Sequence, residues 1–144
     1  MERRRAVTRE DRKNAYLYCK FRDEQFALYD EYAKRHGMLM KTLLVANVLF
    51  YDDYYQKGGM TQAEICRRTF QSKQTVNLIV KNLLAEGYIT VSEAPGDKRN
   101  KIVRMTKAGC AHYGRVVRHI TWAEDTAMSM FTAEEQKQLI DLSR

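Results

Sequence analysis

Six polar residues lie close together near the middle of the chain. They are Ser72, Lys73, Gln74, Thr75, Asn77 and Lys81. Asparagine and glutamine can form paired hydrogen bonds with adenine edges, lysine can reach guanine acceptors or phosphate, and serine or threonine can bond to either. The set therefore has the chemistry of residues that read a nucleic-acid groove, although a polar helix face is more commonly only solvated.

A second charged group lies further along, between two runs that favour β-strands. The runs Tyr88–Ala94 and Lys101–Met105 predict a β-hairpin with a cationic tip. Such a tip can place Lys98 and Arg99 at a minor groove, where the negative potential is deepest. Asp97 is expected to hold the Arg99 guanidinium in place by a charge-assisted hydrogen bond. Alone, the hairpin supports binding only weakly, because charged tips also serve solubility.

Two short helices are predicted to position the first polar group. Thr61 and Glu64 form a capping box that starts a helix ending near Thr69. Ser72 is a second N-cap, and the helix that it starts ends at Gly87. Four apolar residues recur at helical spacing in this second helix: Val76, Ile79, Val80 and Leu83. Turning them inward leaves the polar group on the outer face of the second helix of a helix-turn-helix.

The helix pair and the hairpin together predict a winged helix, and the charge of the same segment agrees with this. Between Gly59 and Gly109 there are nine basic and four acidic residues, so +5 of the formal charge of +7 lies there. A basic, groove-reading segment favours a polyanionic partner through counterion release. A membrane surface is less favoured, because the segment has no basic amphipathic helix with a broad apolar face.

Four runs in this segment match the pattern of a known family. They are Gln74–Asn77, Leu83–Ile89, Asp97–Arg99 and Met105–Gly109. Their most specific part is an Asp-x-Arg wing followed by a hydrophobic residue and Thr-x-x-Gly. On these runs the sequence resembles the MarR family of bacterial transcription regulators, over roughly Leu17 to the C-terminus. The resemblance implies a winged helix that binds double-stranded DNA as a homodimer built from the first and last helices. It also implies that small ligands or oxidants relieve binding.

One position departs from the family pattern. The residue after Asn77, which is frequently basic in relatives, is Leu78. Details of base reading are therefore not carried over to this chain. Leu78 either contacts a thymine methyl group or packs internally, and the sequence leaves both alternatives open.

The remaining helices are predicted to form a dimer. We expect a single unit over residues 1–144 that is mainly α with a small β-hairpin wing. Residues 59–107 would form the winged helix-turn-helix, and residues 8–57 and 107–144 would supply dimerisation helices. Apolar faces at both ends of a small chain need a partner, and a two-fold dimer would set two recognition helices roughly 34 Å apart on an inverted-repeat operator. Intramolecular packing alone is the alternative.

Individual residues support the placement of these helices. The first helix is predicted to start at Thr8 and to carry apolar residues on one face: Leu17, Phe21, Leu28 and Tyr32. The second begins near Met38 and is apolar almost all round, so it should be the buried central helix. Thr106 caps another long helix, and Thr132 with Glu135 forms a capping box before the last one.

Several other classes of function find no support in the sequence. It has no phosphate loop, no G-x-S-x-G motif and no zinc-protease spacing, so we expect neither an enzyme nor a cofactor. The three cysteines and three histidines lack metal-ligand spacing, so we expect no metal. No run approaches the roughly 20 apolar residues of a membrane span, and the N-terminus is too polar for a secretory signal. The expected location is therefore the cytoplasm.

Two features near the N-terminus leave alternatives open. Cys19 lies between Tyr16 and Tyr18, and some MarR-like proteins sense peroxide through a cysteine in the first helix near tyrosines. Cys19 is therefore a candidate redox residue, with an inert thiol as the alternative, since reactivity needs a lowered pKa. The basic run Glu2–Arg5 is an arm that either touches phosphate or is only solvated.

The sequence thus predicts a transcriptional regulator, with a repressor favoured over an activator, that binds a double-stranded DNA operator specifically as a homodimer. The family resemblance implies that a small-molecule effector or an oxidant relieves the binding. A winged helix that serves as a protein-interaction or assembly module, without sequence-specific DNA binding, is the alternative. Salt dependence and discrimination between operator and random duplex would separate the two.

Overall fold

The computed structural model describes residues 5–144, so most of the predicted arm Glu2–Arg5 lies outside the described residues. Within that range the chain forms six α-helices and one three-stranded sheet. In chain order the elements are α1 (Arg9–Arg35), α2 (Met40–Tyr54), β1 (Met60–Thr61), α3 (Gln62–Thr69), α4 (Lys73–Ala85), β2 (Ile89–Ala94), β3 (Asp97–Met105), α5 (Lys107–Ser129) and α6 (Ala133–Leu142). The predicted fold class is confirmed.

The described chain divides into two compact units. The residues up to Met40 form one unit, which contains α1, and Lys41–Arg144 form the other, which contains the winged helix. The expectation of a single unit over the whole chain therefore stays a prediction.

α1 begins where the sequence predicts it. The Thr8 hydroxyl accepts a hydrogen bond from the Asp11 amide, and the Asp11 carboxylate accepts one from the Thr8 amide. After Arg35, Gly37 takes a φ of +68°, which favours glycine. Ion pairs cover much of the charged surface of this region: Arg5–Asp11, Lys20–Glu24, Arg22–Asp23, Lys34–Asp30 and Arg35–Glu31.

Large apolar side chains of α1 remain exposed in the described chain. They are Tyr16, Tyr18, Phe21, Phe26 and Leu28, each between 62% and 68% exposed. An amphipathic helix that leaves so many aromatic and aliphatic groups in water carries a surface suited to a partner.

α2 confirms the prediction of a buried second helix, although it begins at Met40 rather than near Met38. Its buried residues are Leu43, Val45, Ala46, Leu49, Phe50 and Asp52. Gly114 on α5 faces Phe50 closely, since a Cβ at this glycine would lie 2.8 Å from the phenylalanine ring. α2 and α5 therefore pack at short range in the second unit.

The sheet is antiparallel, with strand order β1-β3-β2. β1 pairs Met60 with Val103, and the sequence does not predict this strand. The hairpin is also tighter than predicted, because only Pro95 and Gly96 separate β2 from β3. Proline followed by a glycine at φ +77° is typical of a type II turn.

The Thr-x-x-Gly element joins the wing to α5. The Thr106 hydroxyl accepts a hydrogen bond from the Gly109 amide at 3.0 Å and donates one to the Gly87 carbonyl at 2.8 Å. A Cβ at Gly109 would lie 2.2 Å from the Tyr88 carbonyl oxygen. Only glycine permits so close an approach to the Tyr88 carbonyl. Together with the Thr106 hydrogen bonds, this approach holds the end of α4 and the start of β2 against α5.

The last part of the chain exposes much of its apolar surface. α5 buries Tyr113, Val116, Val117 and Ile120, whereas Trp122 and the following residues are exposed. α6 has 10 residues and buries none of them. A helix this short is marginal in water without packing, so α6 is expected to need a partner surface. None of the helices in residues 5–144 is long and apolar enough to cross a bilayer.

Candidate nucleic-acid interface

α4 separates a buried side from an exposed side, as the sequence predicts. The four inward residues are 6% exposed or less: Val76, Ile79, Val80 and Leu83. The side chains predicted to face outward are exposed: Lys73, Gln74, Asn77 and Lys81. α3 packs against α4 across the short turn of residues 70–72. The helix pair therefore presents the outer face of α4 to solvent.

Ser72 and Thr75 take part in starting α4. The Ser72 hydroxyl accepts a hydrogen bond from the Thr75 amide at 3.2 Å, and the two hydroxyl oxygens lie 2.9 Å apart. Both residues sit at the N-terminal end of the helix, where backbone amides and the helix dipole favour an anion. This position favours a phosphate contact over a base contact for the two hydroxyls.

Leu78 lies on the exposed side of α4 and is 61% exposed. The sequence leaves two alternatives for this residue, a contact with a thymine methyl group and internal packing. Within the described chain, the structure excludes internal packing.

The wing tip exposes Lys98 and Arg99, but Asp97 does not bind the Arg99 guanidinium. Its carboxylate instead accepts hydrogen bonds from the Arg99 amide at 2.9 Å and from Asn100 Nδ2 at 2.8 Å. The prediction of a contact with the guanidinium is wrong, because the tight turn brings backbone amides within reach of the carboxylate first. The Arg99 amide, followed by Asn100, lowers the pKa of Asp97 below its usual range.

The cations of the outer face and the wing tip form no ion pair in the part of the chain that the structure describes. Among residues 5–144, no carboxylate lies within ion-pairing distance of Lys73, Lys81, Lys98 or Arg99. These side chains therefore keep their charge available for phosphate.

Sequence reasoning missed the residues that hold the base of the wing. Asp52, buried on α2, accepts a hydrogen bond from the Gly59 amide at 2.7 Å, and Arg104 Nε donates one to the Gly58 carbonyl at 2.7 Å. Gly59 has a φ of +90°, and a Cβ there would lie 2.5 Å from the Ile102 side chain. The glycine pair was the available signal, since adjacent glycines mark turns and close approaches.

The cysteines have a different chemistry from the cations and amides of the outer face of α4. Cys110 Sγ lies 3.3 Å from Asp53 Oδ2, and burial, followed by this carboxylate, raises the pKa of the thiol to about 11. Cys110 is therefore a protonated thiol at neutral pH. Cys19 is half-buried on α1, and its redox role stays a prediction. In residues 5–144, no group of histidine, cysteine or acidic residues is arranged to hold a metal ion.

The helix pair, the three-stranded sheet and the basic outer face define a winged helix-turn-helix protein. Comparisons with known proteins agree with this class. A MarR family model matches residues 54–100. The HTH-type transcriptional repressor NicR of Pseudomonas putida is 29% identical over 87 residues, which are 60% of this chain and 55% of NicR. The chain thus spans about half the length of this curated relative.

Solved structures share the fold. MepR of Staphylococcus aureus in its DNA-binding conformation matches with a TM-score of 0.76 at 21% identity, over 90% of this chain and 93% of MepR. The MepR–DNA complex gives a TM-score of 0.70 with the same identity and coverage. PcaV of Streptomyces coelicolor with its natural ligand gives 0.68 at 19% identity, over 97% of this chain and 95% of PcaV. The resemblance of this chain to the MarR family is therefore confirmed.

Proposed function

We propose that this protein is a transcriptional regulator that binds double-stranded DNA sequence-specifically, as a homodimer on an inverted-repeat operator. The observation that carries the proposal is the exposed outer face of α4, on which amide side chains lie among cations that have no carboxylate partner within residues 5–144. Gln74 and Asn77 supply hydrogen bonds to base edges, and Lys73 and Lys81 reach guanine or phosphate. Ser72 and Thr75 bind phosphate at the helix N-terminus.

The wing extends this contact to the adjacent minor groove. Lys98 and Arg99 project from the tip, where a narrow groove attracts cations most strongly. Asp97 acts on the backbone of the tip and so sets the direction in which the Arg99 side chain leaves it. The relatives support this role, since MepR has been solved with DNA and NicR is a repressor. We therefore assign repression as the sign of regulation.

The homodimer is supported by apolar surface that the described chain leaves uncovered. α1 exposes four aromatic rings and Leu28, and α6 exposes Leu139, Ile140 and Leu142 without burying any residue. A second copy of the chain would cover such surfaces symmetrically. The resulting two-fold axis would place two copies of α4 roughly 34 Å apart, which matches successive major grooves.

Relief of binding requires an effector that prefers a dimer unable to span the two half-sites. Such an effector shifts the population only through a difference in its affinity for the two states. PcaV, whose fold this chain shares, has been solved with its natural ligand, which supports a small-molecule effector. An oxidant acting at Cys19 is the second route.

Selection of bound sequences from a random duplex pool tests the proposal. The full chain would be used at about physiological salt, and affinity for the enriched duplex would then be followed as salt rises. We expect an inverted repeat with half-sites about one turn apart, and log affinity that falls with log salt by about 0.9 for each phosphate contacted. If no sequence is enriched with or without oxidant, the proposal fails and the protein-interaction module takes its place.

A further inference from the structure

Leu78 is an apolar residue in the middle of an otherwise polar helix face. At about 100° per residue, it lies about 40° around α4 from Gln74 and about 60° from Lys81. The buried residues of α4 are centred on the opposite side, about 150° away from Leu78. Leu78 therefore points away from the core and within about 60° of Gln74 and Lys81, both assigned to DNA contact, with 61% of it exposed.

An exposed leucine in this position can make only one kind of favourable contact in a major groove. It can form no hydrogen bond, so it can only gain by covering apolar surface. The apolar group that base pairs present in the major groove is the thymine 5-methyl. A guanine or cytosine at the same place would present polar groups that Leu78 would desolvate without satisfying.

We propose that Leu78 is a specificity-determining residue that contacts the 5-methyl group of one thymine in each half-site. The inference rests on the proposed function, because it needs α4 to lie in a major groove. Gln74 and Lys81, which lie about one turn before and one turn after Leu78 along α4, hold the helix there by polar contacts. Leu78 then selects thymine over the other bases at one position that neither polar residue reads.

α4 also supplies a matched control. Leu84 is the same residue type, on the same helix, and is 47% exposed. It lies about 120° around the helix and about 9 Å along it from Leu78, towards the C-terminal end of α4. Alanine at either position removes the same atoms from an exposed site, so both variants are expected to fold, and thermal unfolding would verify this.

The experiment replaces thymine by deoxyuridine, which lacks only the 5-methyl group. Each thymine of the half-site obtained by selection would be replaced in turn, symmetrically in both half-sites, and the affinity of the full chain measured. Burial of one methyl group corresponds to about a 4-fold change, so one position should weaken wild-type binding about 15-fold when both half-sites change. The Leu84→Ala variant should show the same sensitivity.

The Leu78→Ala variant decides the outcome. We expect it to bind the thymine and deoxyuridine duplexes at that position with equal affinity, and selection with it should no longer enrich thymine there. If the wild type ignores every deoxyuridine, or Leu78→Ala keeps the sensitivity, the inference is overturned while the proposed function stands. If the wild type enriches no sequence at all, the proposed function fails and the inference fails with it.

Discussion

α1 and the winged segment, residues 59–109, are both rich in charged residues, but they differ in whether these residues form ion pairs. α1 carries seven basic and six acidic residues, and ion pairs join many of them along the helix. The winged segment carries nine basic and four acidic residues. The cations on its outer face and wing tip have no carboxylate partner within residues 5–144.

This difference indicates what each region is built to contact. Pairing within α1 balances its charge and leaves exposed aromatic side chains as its distinctive surface. Such a surface suits another apolar surface, and a second copy of the chain supplies one. Unpaired cations among amide side chains suit a polyanion instead. The two regions therefore make different predictions for the same kind of substitution.

The largest expected effect is loss of the dimer when a charge is placed on the aromatic surface of α1. Phe21→Glu should weaken dimerisation at least about 100-fold, because the interface would have to bury a carboxylate without a partner. Ala27→Glu adds the same charge at an exposed position about 120° around the helix from Phe21 and should leave the dimer intact. Sedimentation equilibrium measures both, and an unchanged Phe21→Glu dimer would remove α1 from the interface.

The next effect is on DNA binding. Arg99→Ala should cost about 1 to 3 kcal/mol of binding free energy for the selected operator, since a cation at the minor groove is lost. Lys34→Ala removes a cation from α1 that is already paired with Asp30, and should change affinity little. Titration of labelled operator by fluorescence anisotropy gives both values. Equal losses in the two variants would show that only net charge matters.

A stability effect follows from the junction between the wing and α5. Gly109→Ala should lower the free energy of unfolding by about 1 to 3 kcal/mol, because its Cβ would meet the Tyr88 carbonyl oxygen. Ala108→Ser, at the exposed neighbouring position, should change stability by less than about 0.5 kcal/mol. Urea unfolding followed by circular dichroism compares them. If the two variants match, the close approach does not constrain the wing.

The smallest effect is a difference between two capping carboxylates. The pKa of Asp11 is lowered mainly by the Arg5 guanidinium, whereas the pKa of Asp97 is lowered mainly by the Arg99 backbone amide. Because each pKa is lowered in the folded state, the stability that each carboxylate contributes is present above its unfolded pKa. This contribution is lost as the pH falls through the folded pKa.

Salt concentration should affect the pKa values of Asp11 and Asp97 differently. High salt screens exposed ion pairs more than it disturbs hydrogen bonds to amides, so it should raise the pKa of Asp11 more than that of Asp97. Carboxyl titrations by NMR at low and high salt measure both values. A larger rise at Asp97 would mean that its contact with the wing backbone is not what lowers its pKa.

Much of the fold follows from local sequence signals. The capping residues Thr8, Thr61, Ser72, Thr106 and Thr132 all start the helices that the sequence predicts from them. The residues that α4 buries are also the predicted ones, so the residues on its outer face are as predicted too. These features depend on residues three or four positions apart, and such contacts form wherever the chain is helical.

The errors lie where distant segments meet. β1 is only two residues long and exists through pairing with β3, so periodicity could not reveal it. The error at Asp97 is local instead, because its carboxylate accepts a hydrogen bond from the Arg99 amide two residues away, in a hairpin tighter than the loop expected from composition. Asp52 and Arg104 hold the base of the wing through contacts with Gly59 and Gly58, and the glycine pair marks a close approach without showing which side chains make it.

The helices, the polar face of α4 and the basic charge of the winged segment can all be read from the amino-acid sequence, because residue type and helical period set them. The tertiary structure was needed to show that Leu78 is exposed and that Gly109 must remain glycine. Each of these depends on how closely separate segments approach, which packing alone decides.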